Sequence, residues 1–253
     1  MKMEATRRSV IRLSAAALAL SLSQNLSAAV CDPYATNAGD VAIEGATVCF
    51  VYNPANIDPL FGSLSVSGDN IFANPTNFKA TSNDGAGTVQ VSGTGTIQVI
   101  AKPGFVLDAI NVGEIGDYRM QQAAGGNTTV DVEGWLRVFD WFDPTPVFGT
   151  EETTNLTING DLTLADGDNH NWTGSGGFDL TTPLWDGRDH VGLTLQNTLT
   201  AFSTLFGDQA MIQKKAVGSE ITVSIVTTPV PVPGALWLFG SGLLALAGRV
   251  RRR

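Results

Sequence analysis

Between residues 30 and 228 apolar side chains recur at every second position in short runs, and no long stretch keeps the 3.6-residue spacing of a helix face. Gly, Asn, Asp, Ser and Thr separate the runs. Successive side chains of a strand point to opposite faces, so each run reads as a half-buried strand. The alternation predicts strands at 48–52, around Leu64 and Val66, and at 105–112, 128–132, 136–139, 156–158, 192–195 and 221–226. Segments 88–92 and 96–100 flank Gly93-Thr94-Gly95, a spacing that predicts a hairpin turning on glycine. Residues 198–206 and 210–215 are predicted as helical turns. Many short strands without a long internal repeat predict a mainly β fold, an antiparallel β-sandwich of jelly-roll type. The acidic, proline-containing stretch 140–152 reads as a long loop or a subdomain boundary. The uniform composition of about 200 residues favours one domain over 30–228.

The two ends differ from this body. Residues 1–29 have the layout of a secretory signal: Lys2, Arg7, Arg8 and Arg12, then an Ala/Leu segment from Leu13 to Leu22, then Ser27-Ala28-Ala29. The apolar segment is too short to span a bilayer. Cleavage there starts the mature chain at Val30. Residues 6–12 also resemble a twin-arginine export motif, which leaves the general and twin-arginine routes both open. Val30 stands where a lipobox needs a small residue, which argues against lipidation of Cys31.

At the other end, proline at 229, 231 and 233 rules out helix and sheet interior and makes a stiff, extended connector. An uncharged apolar run of about 15 residues follows, from Gly234 to Gly248, and arginines close the chain. Such a run inserts with its basic end in the cytoplasm and is marginally short for a permanent span. Residues 229–253 resemble a PEP-CTERM sorting signal whose core reads VPxPxAxWLFGSGLL. Pro231, Val232 and Pro233 stand at the Pro-Glu-Pro triplet, with valine replacing glutamate. Trp237, Gly240, Ser241 and Gly242 match the apolar core, and Arg251, Arg252 and Arg253 the basic end. The resemblance implies recognition by an exosortase, a membrane cysteine transpeptidase or protease. It also implies transient anchoring in the inner membrane and delivery to the cell surface or polysaccharide matrix of a Gram-negative bacterium.

The formal charge is -9, and the ends hide the character of the body. Without the four cations and one anion of residues 1–29 and the four arginines of the tail, seven cations face 23 anions, a net -16. Such a body repels nucleic acid and anionic lipid. It suits solubility, divalent cations or neutral glycans. Cys31 and Cys49, the two cysteines of an exported chain, are expected to form a disulfide that ties the mature N-terminus to the first strand.

Residues 161–190 hold the densest set of polar and aromatic side chains. Asp161, Asp166 and Asp168 place oxygens where a calcium loop has them, without the Gly and Glu of an EF-hand. The same spacing suits Asx turns, whose carboxylates cap their own backbone. Trp172 and Trp185, with Trp135 and Trp141, serve either as a platform for sugar rings or as core. No GxSxG, HExxH, CxxC or phosphate-binding glycine loop occurs, and Gly240-Ser241-Gly242 belongs to the tail. With 23 carboxylates in the body, no pair stands out as glycosidase-like. The expected function is a non-enzymatic matrix protein without a required cofactor. A carbohydrate-binding module and a glycan-active enzyme are the alternatives.

Overall fold

The computed structural model describes residues 30–143, 150–214 and 221–230. In chain order its strands are β1 (Val41–Glu44), β2 (Val48–Tyr52), β3 (Ser63–Ser67), β4 (Asn70–Asn74), β5 (Lys79–Asn83), β6 (Gly87–Ala101) and β7 (Phe105–Gln121). There follow β8 (Thr128–Asp140), β9 (Glu151–Asn155), β10 (Thr157–Asn159), β11 (Asp166–Asp179), β12 (His190–Ser203), β13 (Gln209–Lys214) and β14 (Ile221–Pro229). They form two antiparallel sheets packed as a sandwich. One runs β1-β2-β6-β12-β8-β9. The other runs β10-β11-β7-β14-β4-β3, and the second half of β7 pairs instead with β13, which carries β5. The chain changes sheet at most connections, so the core is assembled from residues far apart in sequence.

The core follows the two-residue alternation. In β12, Leu193, Leu195, Leu199 and Ala201 point inward, and in β8 Val130, Val132, Leu136 and Val138 meet them from the neighbouring strand. Opposite lie Val112, Tyr118 and Met120 of β7 with Ala210 and Ile212 of β13. On the other parity the exposed side chains of Asp131 and Glu133 in β8 and of Ile115 and Arg119 in β7 face solvent. Burying one such aliphatic side chain contributes roughly 1.5–3 kcal/mol, so the alternation sets register strongly.

Three local expectations are corrected. Gly93-Thr94-Gly95 is no hairpin but the middle of β6, paired without a break to Leu195, Gln196 and Asn197 of β12. The glycines are there for space: a Cβ on Gly93 or Gly95 would press within 3.3 Å of Phe78 or Ile57. Residues 198–203 complete β12 and 209–214 form β13, where helical turns were expected. Pairing on both edges and inward Leu199, Ala201, Ala210 and Ile212 outweigh local propensity. Of the two readings of 140–152, the subdomain boundary is set aside, because the stretch joins two paired strands of one sheet, β8 and β9.

The two ends of the sandwich are closed differently. At the near end Cys31 is disulfide-bonded to Cys49 of β2, as expected, and the pair packs with Val51 and Ile100. β14 also finishes here, with Pro229 opposite Phe105 and the Val230 N–H donating to Gly104 O at 2.8 Å. At the far end the buried carboxylate of Asp208 ties the β7–β8 connection to its own β12–β13 connection. One oxygen accepts from the Ala123 N–H at 2.8 Å. The other accepts from the N–H groups of Asn127, Thr204 and Leu205 and from the Thr204 hydroxyl. Burial opposes its ionisation, but these donors outweigh burial and hold its carboxyl down at about 2.

Two outcomes follow from these closures. Replacing both cysteines by serine opens a loop of sequence separation 18 and is expected to lower stability by about 3 kcal/mol, read by denaturant unfolding. At Asp208 the ionised form is favoured by folding. Its contribution is therefore complete above the ordinary carboxylate value of about 3.9 and fades as pH falls toward about 2. Asp208→Asn sets an amide N–H₂ against backbone donors. It should lower the melting temperature at neutral pH and flatten the melting profile between these two pH values; an unchanged profile would show that Asp208 does not organise this end.

Candidate functional site

The densest polar segment of the sequence dissolves into separate local roles. Asp161 accepts from the N–H and hydroxyl of Thr163, at 3.0 and 2.5 Å. Asp166 accepts from the Asp168 N–H and from His170 Nε2, both at 2.9 Å. Both carboxyls are held below the ordinary range, Asp161 by Thr163 and Asp166 chiefly by His170. Asp166 to Asn169 forms a bulge where β11 meets β7. These are Asx turns, and their oxygens are turned onto their own backbone. Among the described residues no three His, Cys, Asp or Glu side chains converge as a metal site.

The tryptophans separate in the same way. Trp172 is 1% exposed and Trp185 2%, so both belong to the core and neither offers a face to a sugar. Trp185 Nε1 donates to Glu152 at 3.0 Å. An aromatic group does reach the surface at the near end, around His190. Trp141 stacks on that imidazole at 5.8 Å, and exposed Phe142 meets its edge at 4.9 Å. His190 Nε2 is 2.9 Å from Gln98 Oε1, and burial pushes its pKa down. Residues 1–29, read above as a secretory signal, and the tail residues Pro231, Val232, Pro233, Trp237, Gly240, Ser241, Gly242, Arg251, Arg252 and Arg253 lie outside the described residues. No helix among the described residues is long and apolar enough to cross a membrane.

The most unusual chemistry lies between the sheets. Lys214, at the end of β13, forms an ion pair with Glu114 of β7, and neither side chain is exposed. Asn197 of β12, from the opposite sheet, donates Nδ2 to the same Glu114 oxygen at 3.1 Å. The ammonium also lies 5.2 Å from the Trp172 ring and 5.5 Å from that of Phe78. Burial pushes the Lys214 pKa down, against the pull of the carboxylate. Three buried atoms beside the pair have no hydrogen-bond partner: Glu114 Oε1, Asn197 Oδ1 and Trp172 Nε1.

Glycines make the room. Asn197 is flanked in register by Gly93 and Gly134, Glu114 by Gly174 and Lys214 by Gly116. A Cβ on Gly134 would come within 2.6 Å of Asn197 Nδ2, and one on Gly116 would strike the Trp172 ring. Motif reasoning passed over all three polar residues. Strand parity would have found them: Glu114 is in phase with Val112 and Tyr118, Asn197 with Leu195 and Leu199, and Lys214 with Ala210 and Ile212. A polar residue on the apolar parity of a strand is buried by geometry.

With the fold in place, residues 229–253 match the sequence model of the PEP-CTERM protein-sorting motif. The chain thus carries this motif, which marks it as an exported protein targeted to exosortase. The match begins at Pro229, the last residue of β14. No curated protein matched the chain.

The Asx turns set an expectation for metal. Because Oδ1 of Asp161 and of Asp166 already serves the turn and no third ligand converges on them among the described residues, millimolar calcium is expected to leave the melting temperature where chelator leaves it. A rise with calcium would restore the Asp161–Asp168 segment as a binding loop.

Proposed function

We propose that the chain is a non-enzymatic structural or adhesive component of the extracellular polysaccharide layer of a Gram-negative bacterium. The sorting motif at 229–253 carries this reading. An apolar run of about 15 residues interrupted by Gly240 and Gly242 is a weak permanent anchor, and the arginines beyond it favour the cytoplasmic side. Pro231-Val232-Pro233 then lies at the outer surface of the inner membrane. An extended proline segment without internal hydrogen bonds is open to a protease there. The net -16 of the body keeps the released protein soluble and away from nucleic acid and anionic lipid.

A second reading, binding to neutral glycans, is favoured by one observation: the Trp141–Phe142 group at the surface beside His190. Indole and phenyl faces stack on the C–H faces of sugars. Glycan-array binding that Trp141→Ala abolishes would support it. An array without signal leaves the structural role.

Intact-mass analysis of the extracellular fraction tests the sorting reading. The released protein is expected to end near Pro233 and to lack the arginine tail. A strain without its exosortase is expected to keep a tail-bearing precursor in the membrane fraction. Released wild-type protein ending at Arg253 would overturn the reading.

A further inference from the structure

Lys214 and Asn197 come from opposite sheets, yet a nitrogen of each meets the same oxygen of Glu114. We infer that Lys214 and Asn197 become joined by an isopeptide bond once the sandwich has closed, with Glu114 carrying the protons. The three side chains are the parts such a reaction needs: an amine, a carboxamide, and a carboxylate in contact with both nitrogens. All three residues are shielded from water, with exposures of 4% for Lys214, 0% for Asn197 and 2% for Glu114.

The chemistry balances without any co-reactant. The Lys214 ammonium passes a proton to Glu114, a transfer that burial of the ammonium assists. The freed Nζ lone pair attacks Asn197 Cγ; a C–N bond forms and the carbonyl electrons move onto Oδ1. Collapse of this tetrahedral centre breaks the Cγ–Nδ2 bond, with Glu114 relaying the proton from Nζ to the leaving nitrogen, which departs as ammonia. An ammonium, a carboxylate and a primary amide become a secondary amide, a carboxylic acid and ammonia, with charge and hydrogens conserved. Nothing is oxidised or reduced.

Two features favour reaction over a resting ion pair. Amine and amide are held together in one enclosed place, which replaces an encounter in solution by an intramolecular step. The reaction also removes two buried charges, which are costly to keep from water even when paired. The unpartnered Asn197 Oδ1 and Glu114 Oε1 fit the same picture. The new carboxylic acid has an O–H to donate, and the Asn197 carbonyl oxygen is the unpaired acceptor beside it. The Trp172 and Phe78 rings wall the amine, and Gly134 leaves room over the amide.

The bond would tie β12 to β13, closing the chain between residues 197 and 214 and fastening one sheet to the other. The test is intact mass of the full chain, folded, then reduced and denatured, with its termini read by fragmentation. Wild type is expected one ammonia lighter than its sequence, with a branched peptide joining Lys214 to Asn197 in the digest. Lys214→Met and Asn197→Ala should have the full mass. Glu114→Gln keeps amine and amide, and its folding can be followed by circular dichroism; it too should have the full mass. Folded wild type of full mass overturns the inference. So does an ammonia loss that persists in Lys214→Met, which would trace it to succinimide formation elsewhere. A Glu114→Gln chain that links as fast as wild type overturns the role given to Glu114.

Discussion

An ammonium and a carboxylate sealed between two β-sheets set the terms on which this sandwich closes. Removing an ion from water costs several kcal/mol even after the surroundings relax, and an uncompensated partner costs roughly 3–5 kcal/mol. Lys214 and Glu114 therefore need each other, and both need the sheets in one register. If β13 slipped by one residue against β7, Lys214 would turn to solvent and leave Glu114 alone in the core. The glycines at 93, 116, 134 and 174 belong to the same constraint: they flank these residues and leave volume for long polar side chains and a tryptophan. Asn197 adds a tie from the opposite sheet, so the cluster specifies strand pairing and the approach of the two layers together.

The alternation of apolar residues was enough to read the fold class, because burial of one face per strand is a local signal. It also found most of the strands, though cut short. Polar residues in β6, β7 and β12 interrupt the pattern without ending the strand, as Thr94 does where β12 continues beside it. Glycine misled at 93–95, where it supplies space and not a turn. The disulfide was legible from two cysteines in an exported chain. The buried triad was not, since Glu114, Asn197 and Lys214 are spread over a hundred residues and form no motif. Their meeting is a product of topology: β7, β12 and β13 are brought together only by crossovers between sheets. Trp172 and Trp185 had two readings in sequence, and burial decided between them.

Charge is distributed with the same economy. Asp161 and Asp166 bind their own turns, and Asp208 holds the far-end loops through backbone N–H groups. These carboxylates serve the backbone where side chains of opposite sign are scarce, since only seven cations face 23 anions in the body. Arg188 with Asp140 and Lys102 with Glu44 place two of those cations at the near end.

β14 ends at Pro229 beside Gly104, at the same end as the Cys31–Cys49 link, so the chain enters and leaves the sandwich at one pole. The long strands run away from that pole. A 14-residue strand such as β12 extends about 45 Å at roughly 3.3 Å per residue. The far pole, where Asp208 gathers its loops, therefore lies several Debye lengths, each about 8 Å, from the strand end at which the sorting motif begins. A charge placed on the far-end loops is thereby screened from the point where the sorting motif begins.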